Sequence, residues 1–308
     1  MARNLRDIRR KIKAIKATRQ VTKAMELVAA SKMRRAVQNA QMLRRYALTA
    51  WNILENMAEV HPGLHPYLTE RPAKKILAIL FTSDRGLCGS LNTQMFRMVA
   101  SYMKETKAMP SFESLSFIAI GKKGQQFLAR NNQDVVAAFP ALSNHPTFKD
   151  ILPAVRLATE GFLAGTYDSV VVLYPDFISA LVQEPVAKVL LPFTKSDLKT
   201  MLASLIQRRH TRAEDIVKRE REVTEYVFEP SQDKILEVIL PQLTEMQVFQ
   251  AVLEATASEH SARMVAMRSA TDNASDILDD LTLTYNQTRQ AGITAELAEL
   301  SASKAALD

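Results

Sequence analysis

The chain has 308 residues, 47% of them hydrophobic and 24% charged, with a formal net charge of +7. That balance excludes a disordered polyelectrolyte and allows one large or two modest globular domains. Only eight glycines and twelve prolines leave little turn chemistry, so long helices are expected. The single cysteine, Cys88, rules out an internal disulfide and a multi-cysteine metal cluster and fits a reducing compartment.

The first segment, residues 1–60, reads as one helix. Leu5, Ile8, Ile12 and Ile15 step by three and four, and Met33, Ala36, Ala40, Leu43, Ala47, Ala50, Leu54 and Met57 continue in phase, which is a heptad seam. Between them the same phase falls on Arg19, Thr22, Glu26 and Ala29, while Val21, Met25 and Val28 lie one residue off. The apolar stripe is therefore expected to slip sideways there. Neither proline nor glycine precedes Pro62, so this helix would span roughly 85 Å. About fourteen Lys and Arg face two acids in residues 1–45, near +12, leaving the remainder near −5. The segment is charged from its third residue and runs on without a cleavage-like site, so it is expected to be mature protein rather than a secretory signal or presequence.

Residues 61–74, with His61-Pro62-Gly63, Pro66 and Pro72, read as a linker. Residues 75–230 change period. Ile76–Phe81, Leu115–Ile120, Val135–Phe139 and Ser169–Tyr174 are short runs read as buried strands. Helical stretches near Asn92–Lys107, Lys122–Asn131 and Thr147–Ala164 separate them. This alternation predicts a parallel, doubly wound α/β domain. Phe177–Leu191 is expected to add a strand or hairpin and Val223–Phe228 another strand, with the charged stretch Ser196–Glu222 between them read as a solvated helix or insertion. The apolar runs fall far short of the roughly 18 residues of a membrane span.

Residues 231–308 return to helical periodicity. Met246, Phe249 and Leu253 share a phase with Met267, Ala270, Ala274, Ile277 and Leu281, interrupted by Thr256, His260 and Arg263. A helix to about residue 305 would span roughly 110 Å. The fold class expected is α/β: a long antiparallel coiled coil of the N- and C-terminal helices plus the central doubly wound domain. Seam alanines such as Ala291, Ala295 and Ala298 suit close helix approach or a narrow tip that a partner surrounds.

Motifs of catalysis are weak. Thr82-Ser83-Asp84-Arg85-Gly86-Leu87-Cys88-Gly89-Ser90-Leu91-Asn92 follows a strand and opens a helix, where a doubly wound fold could hold a phosphate. It lacks G-x-G-x-x-G, and Gly121-Lys122-Lys123-Gly124 lacks P-loop spacing. The five histidines are scattered, and His61 and His65 have no carboxylate or cysteine companions for a metal. Ser275–Asp280 reads as a solvated helix face, and Trp51, beside the seam, as packing. No cofactor and no catalytic residue are expected. The basic helix leaves two partners open, a phosphate backbone and an acidic protein surface; its scarcity of aromatic residues and its length favour the second.

Three segments resemble the gamma subunit of F-type ATP synthases: LRDIRRKIKAIKATRQVTKAMELVAASKMRRA from Leu5 to Ala36, TSDRGLCGSLN from Thr82 to Asn92, and ASEHSARMVAMRSATDNASDILDDLTLTYNQTRQAGITAELAE from Ala257 to Glu299. Weaker similarity in GKKGQQFL and YDSVVVLYPDFISALVQEPVAKVLLP carries it across most of the chain. The chain departs where the family usually places Gly-Ala and this sequence has Ser303-Lys304, and Ser196–Glu222 looks longer than the family's connection.

The resemblance implies a non-catalytic rotor shaft that couples ion flow to ATP synthesis or hydrolysis at the beta subunits. Its implied partners are the alpha and beta subunits, epsilon and the c-ring, with no nucleic acid and membrane association only through the complex, at the cytoplasmic face of the bacterial inner membrane. It implies rotor–stator contacts at Arg289, Gln290, Arg85, Lys23 and Met25. Tyr226 and Phe228 would lie on the side of epsilon and the c-ring.

Overall fold

A computed structural model of the chain describes residues 2–56, 65–139, 146–193 and 232–305. The linker around Pro62, the stretch Ser196–Glu222, the strand expected at Val223–Phe228, and with it Tyr226 and Phe228, lie outside the described residues.

Helix α1 runs Ala2–Asn56, uninterrupted because no residue in it lacks an amide hydrogen or a Cβ. Strands and helices then alternate: β1 (Lys75–Phe81), α2 (Leu91–Lys107), β2 (Ser114–Ile120), α3 (Lys122–Arg130), β3 (Asp134–Phe139), α4 (Phe148–Leu163), β4 (Ser169–Phe177) and β5 (Gln183–Leu191). Helix α5 occupies Gln232–Ala305. The sheet order is β3-β2-β1-β4-β5, parallel through β4 and closed by antiparallel β5. The run Phe177–Leu191, expected to add a strand or hairpin, holds a turn and the one strand β5, which folds back on β4 as a hairpin.

Both sheet faces are covered, which is why the strands read as continuous apolar runs. Alternate residues Ile76, Ala78, Leu80, Phe117 and Leu173 pack with Met95 and Val99 of α2 and Leu128 of α3. Their neighbours Leu77, Ile79, Phe81, Ile118 and Val172 pack with Ile151, Val155 and Phe162 of α4 and with Leu240, Leu243, Val248 and Val252 of α5. Fully burying one such side chain contributes about 1.5–3 kcal/mol.

The chain forms two compact units, one of 32–262 and one of 1–31 with 263–308. Within the first, α5 is buried nearly all round from Leu243 to Ser261, as a helix inside a core must be.

In the second unit, Leu5, Ile8, Ile12, Ile15, Arg19, Thr22, Glu26 and Ala29 of α1 turn inward without a break in the three-four stepping. The expected sideways slip does not occur. Val21, Leu27 and Val28 stay exposed at 58%, 61% and 55%, so the seam admits polar residues and the apolar ones face out.

On α5 the inward positions are Met267, Thr271, Ala274, Leu278, Leu281, Tyr285 and Thr288. Three of the five expected seam positions, Met267, Ala274 and Leu281, are right. The alternate positions move one residue on, from Ala270 to Thr271 and from Ile277, which is exposed, to Leu278. A heptad can be stepped three-four or four-three, and here the observed stepping exchanges Ala270 and Ile277 for Thr271 and Leu278, admitting a hydroxyl that finds a partner across the seam. A 2.8 Å hydrogen bond between the Thr271 and Thr22 hydroxyls fixes the antiparallel register. It sets Ile15 opposite Leu278, Ile12 opposite Leu281 and Ile8 opposite Tyr285. By the same count α5 continues past the first residue of α1 for about 14 residues, or roughly 20 Å, and there Ile293, Leu297 and Leu300 are exposed.

Candidate interaction site

The carboxyl edge of the sheet is where an open doubly wound fold places its ligands, at the switch point between the strands whose connections diverge. Here that point lies between β1 and β4, and the chain itself fills it. Ser258 Oγ on α5 donates to the Pro175 carbonyl at 3.0 Å, and Ser261 Oγ donates to the Ala180 carbonyl at 2.6 Å. Thr256 and Glu259 line the same crevice with Thr82, Ser83 and Asn92, leaving a hollow of about 20 Å³, the scale of one water rather than a nucleotide. The residues that dock on the end of β4 and the turn after it are Ser258 and Ser261; of the expected interruption Thr256, His260 and Arg263, only Thr256 lines this crevice.

The amino end of α3, an intrinsic anion site, is likewise occupied from within. The Lys122 amide donates to Asp84 Oδ1 at 3.0 Å, the Lys123 amide to the Ser83 carbonyl at 3.1 Å, and the Gly124 amide to Thr82 Oγ1 at 2.8 Å. Gly121 has φ +100, and a Cβ there would stand 2.1 Å from the Thr82 carbonyl oxygen. Only glycine permits that approach.

The loop after β1 is held by a short polar chain. Asn92 Nδ2 donates to Ser83 Oγ at 2.7 Å, and Ser83 Oγ donates to the Arg85 carbonyl at 2.7 Å. Asn92 Nδ2 also reaches Cys88 Sγ at 3.3 Å. Ser83 and Cys88 are buried, and their packing accounts for the conformation of the lone cysteine without redox chemistry. Residues Arg85, Gly86 and Leu87 then project outward, all exposed, with Leu87 at φ 63.

The expected contact residues fall into separate places. Lys23 is exposed and already bridges Glu26 at 3.0 Å on its own helix, and Met25 beside it is half-buried. Arg289 and Gln290 are exposed on α5. In the register set by Thr22 and Thr271, Lys23 lies opposite residue 270, so the two pairs stand about 28 Å apart along the helices and do not converge. Arg85 belongs to the other unit. Leu87 and, in the turn after β4, Ile178, Leu181 and Val182 are exposed; an exposed apolar residue carries no sequence signal until its surroundings are known.

Among the described residues, no group of three or more His, Cys, Asp or Glu could hold a metal, and no helix is long and apolar enough to cross a membrane.

A family model described as ATP synthase matches residues 4–307. The chain is 42% identical over 305 residues to the ATP synthase gamma chain of Roseiflexus castenholzii (strain DSM 13941 / HLO8), covering 98% of each. Identity and coverage are the same for the ATP synthase gamma chain of Roseiflexus sp. (strain RS-1). Among solved structures, its fold is similar to a chain of the Euglena gracilis mitochondrial ATP synthase rotor (TM-score 0.59, 22% identity, 95% of this chain and 100% of that one). It is also similar to a chain of the Euglena gracilis OSCP/F1/c-ring assembly (TM-score 0.64, 21% identity, 100% and 95%). With a family model spanning nearly the whole sequence and relatives matched end to end, the chain belongs to the ATP synthase gamma-chain family.

Proposed function

We propose that the chain is the rotary shaft of an F-type ATP synthase, coupling ion flow through a membrane sector to ATP synthesis or hydrolysis at the beta subunits. It is a non-catalytic subunit. The observation that carries this reading is the end-to-end 42% identity to gamma chains, extending through both long terminal helices. The helix pair supports it physically, because a seam with Arg19, Thr22 and Glu26 inside and Val21, Leu27 and Val28 outside leaves apolar surface for something other than the partner helix.

In this reading the paired helices enter a ring of alpha and beta subunits, while the α/β unit meets epsilon and the c-ring. Arg289 offers a planar guanidinium to ring carboxylates, a bond that forms and breaks with rotor angle, and Gln290, Arg85, Lys23 and Met25 are further contacts with the ring. Lys23 would exchange its Glu26 bridge, which is worth little on a surface, for a ring carboxylate. Tyr226 and Phe228 would face epsilon and the c-ring. Coupling arises because the shaft contacts successive beta subunits differently, biasing each toward a different nucleotide-binding state. The complex would sit at the cytoplasmic face of a bacterial inner membrane, this chain reaching the membrane only through its partners.

Purification of the tagged chain from its host tests the assignment. Alpha and beta subunits should accompany it in fixed stoichiometry, and recovery of a clean monomer would sink the proposal.

A further inference from the structure

The connection from α1 to β1 is tied down at one short turn. Pro66–Leu68 is a single 3-10 turn with His65 as its N-cap. The Tyr67 amide, one of those that a helix start leaves unpaired, donates to His65 Nδ1 at 3.1 Å. The Leu68 amide donates to the His65 carbonyl at 3.0 Å. An imidazole nitrogen that accepts carries no hydrogen, so this ring is neutral with its proton on Nε2.

The turn sets Tyr67 into the core on the side of α4 and α5. Its side chain is 3% exposed and packs edge-on against His65 and Phe162, with ring centroids 4.8 and 6.0 Å away. The Tyr67 hydroxyl bonds with Thr159 of α4, and its carbonyl accepts from the Phe193 amide, just past β5, at 2.7 Å. Arg71 fastens the end of the strap, its guanidinium 5.2 Å from the Phe162 ring centre and donating to the Phe162 carbonyl at 3.3 Å. Tyr67 is therefore the anchor, and the His65 bond sets the angle at which it enters.

Protonation turns that bond against itself. A cationic imidazole carries hydrogen on both nitrogens, and its Nδ1–H would face the Tyr67 N–H. Burial pushes the His65 pKa down, and the Glu237 carboxylate of α5 pulls the other way with the smaller effect. Of the remaining charges around the strap, Glu245 of α5 acts on Tyr67, Arg71 is engaged with Phe162, and Glu70, Lys234 and the α4 pair Arg156 and Glu160 are exposed. The docked turn thus prefers the neutral ring. Its stability is full above the ordinary histidine pKa of about 6.5 and is lost as the pH falls below it.

We propose that His65 is an acid-sensitive latch: the neutral ring holds the Pro66–Leu68 strap closed over the α4 and α5 side of the sheet, and protonation releases it, loosening the joint between α1 and β1. The latch belongs to the fold and stands whether or not the chain turns.

Hydrogen exchange of the full chain at pH 7.5 and 5.0, corrected for the intrinsic effect of pH on exchange, tests the latch. Protection of the Tyr67 and Leu68 amides should fall at least about two-fold at the lower pH, while the β1 amides Leu77–Leu80 keep theirs. His65→Asn retains an N-cap acceptor that does not titrate, and its strap should be equally protected at both pH values. His65→Ala removes the acceptor and should lower strap protection at both. Wild-type protection that stays level or rises on acidification, the same fall in His65→Asn, or unchanged protection in His65→Ala at pH 7.5 overturns the latch. An equal fall at Leu77–Leu80 marks general acid unfolding and overturns it too.

Discussion

Gly121 and Gly86 lie close together in the chain's carboxyl-edge loops and answer differently to the same substitution. At Gly121 the backbone has φ +100 and a Cβ would collide with the Thr82 carbonyl, so Gly121→Ala should destabilise the α/β unit by more than about 2 kcal/mol. At Gly86 nothing lies within 4 Å of the added carbon, so Gly86→Ala should change stability by less than about 1 kcal/mol. Thermal denaturation of the two variants measures the contrast, and equal losses would contradict the geometry. The glycine at 121 was visible in the sequence as part of a near-miss to a phosphate loop. Its actual reason, close approach to Thr82 from a strand some 40 residues earlier, is a tertiary fact that spacing does not encode.

At the scale of elements, the terminal helices and the alternation of β1 to β4 were legible because long runs without breakers and short apolar runs each have one reading. The seam was legible in part. On α1 the pattern of residues 19–28 suggests rotation of the buried face, whereas the helix keeps its phase and buries Thr22 against Thr271, satisfying both hydroxyls. Each hydroxyl also has a carbonyl of its own helix in reach, Thr271 that of Met267 at 2.8 Å and Thr22 that of Arg19 at 3.1 Å, so Thr22→Val alone strands no partner and should cost only about 1 kcal/mol, and Thr22→Val with Thr271→Val should cost no more than that. Chemical denaturation of the two variants decides this; additive losses would contradict a direct pair. On α5 the polar run Thr256–Ser261 was legible only as an interruption. Its docking role predicts that Ser258→Ala, which leaves the Pro175 carbonyl without that donor in a buried setting, lowers stability by about 1–3 kcal/mol.

At the scale of the whole molecule, α5 side chains among the described residues fill the switch point between β1 and β4, and the helix pair exposes what a shaft would show to a surrounding ring. Arg289→Ala removes a charged donor whose bonds contribute about 1.5–3 kcal/mol each, so it should lower ATP-driven ion pumping while ATP hydrolysis and assembly persist. Met25→Lys places a second cation beside Lys23 at a half-buried position and should uncouple the complex similarly. Pumping and hydrolysis that both stay at wild-type levels would remove these contacts from the account. The claim beneath them is that this chain turns. It is tested most directly by fixing the alpha/beta ring to a surface, attaching a probe to this chain and supplying ATP. The account predicts rotation of the probe in one direction, in steps tied to hydrolysis; hydrolysis by the same complex with the probe stationary would contradict it.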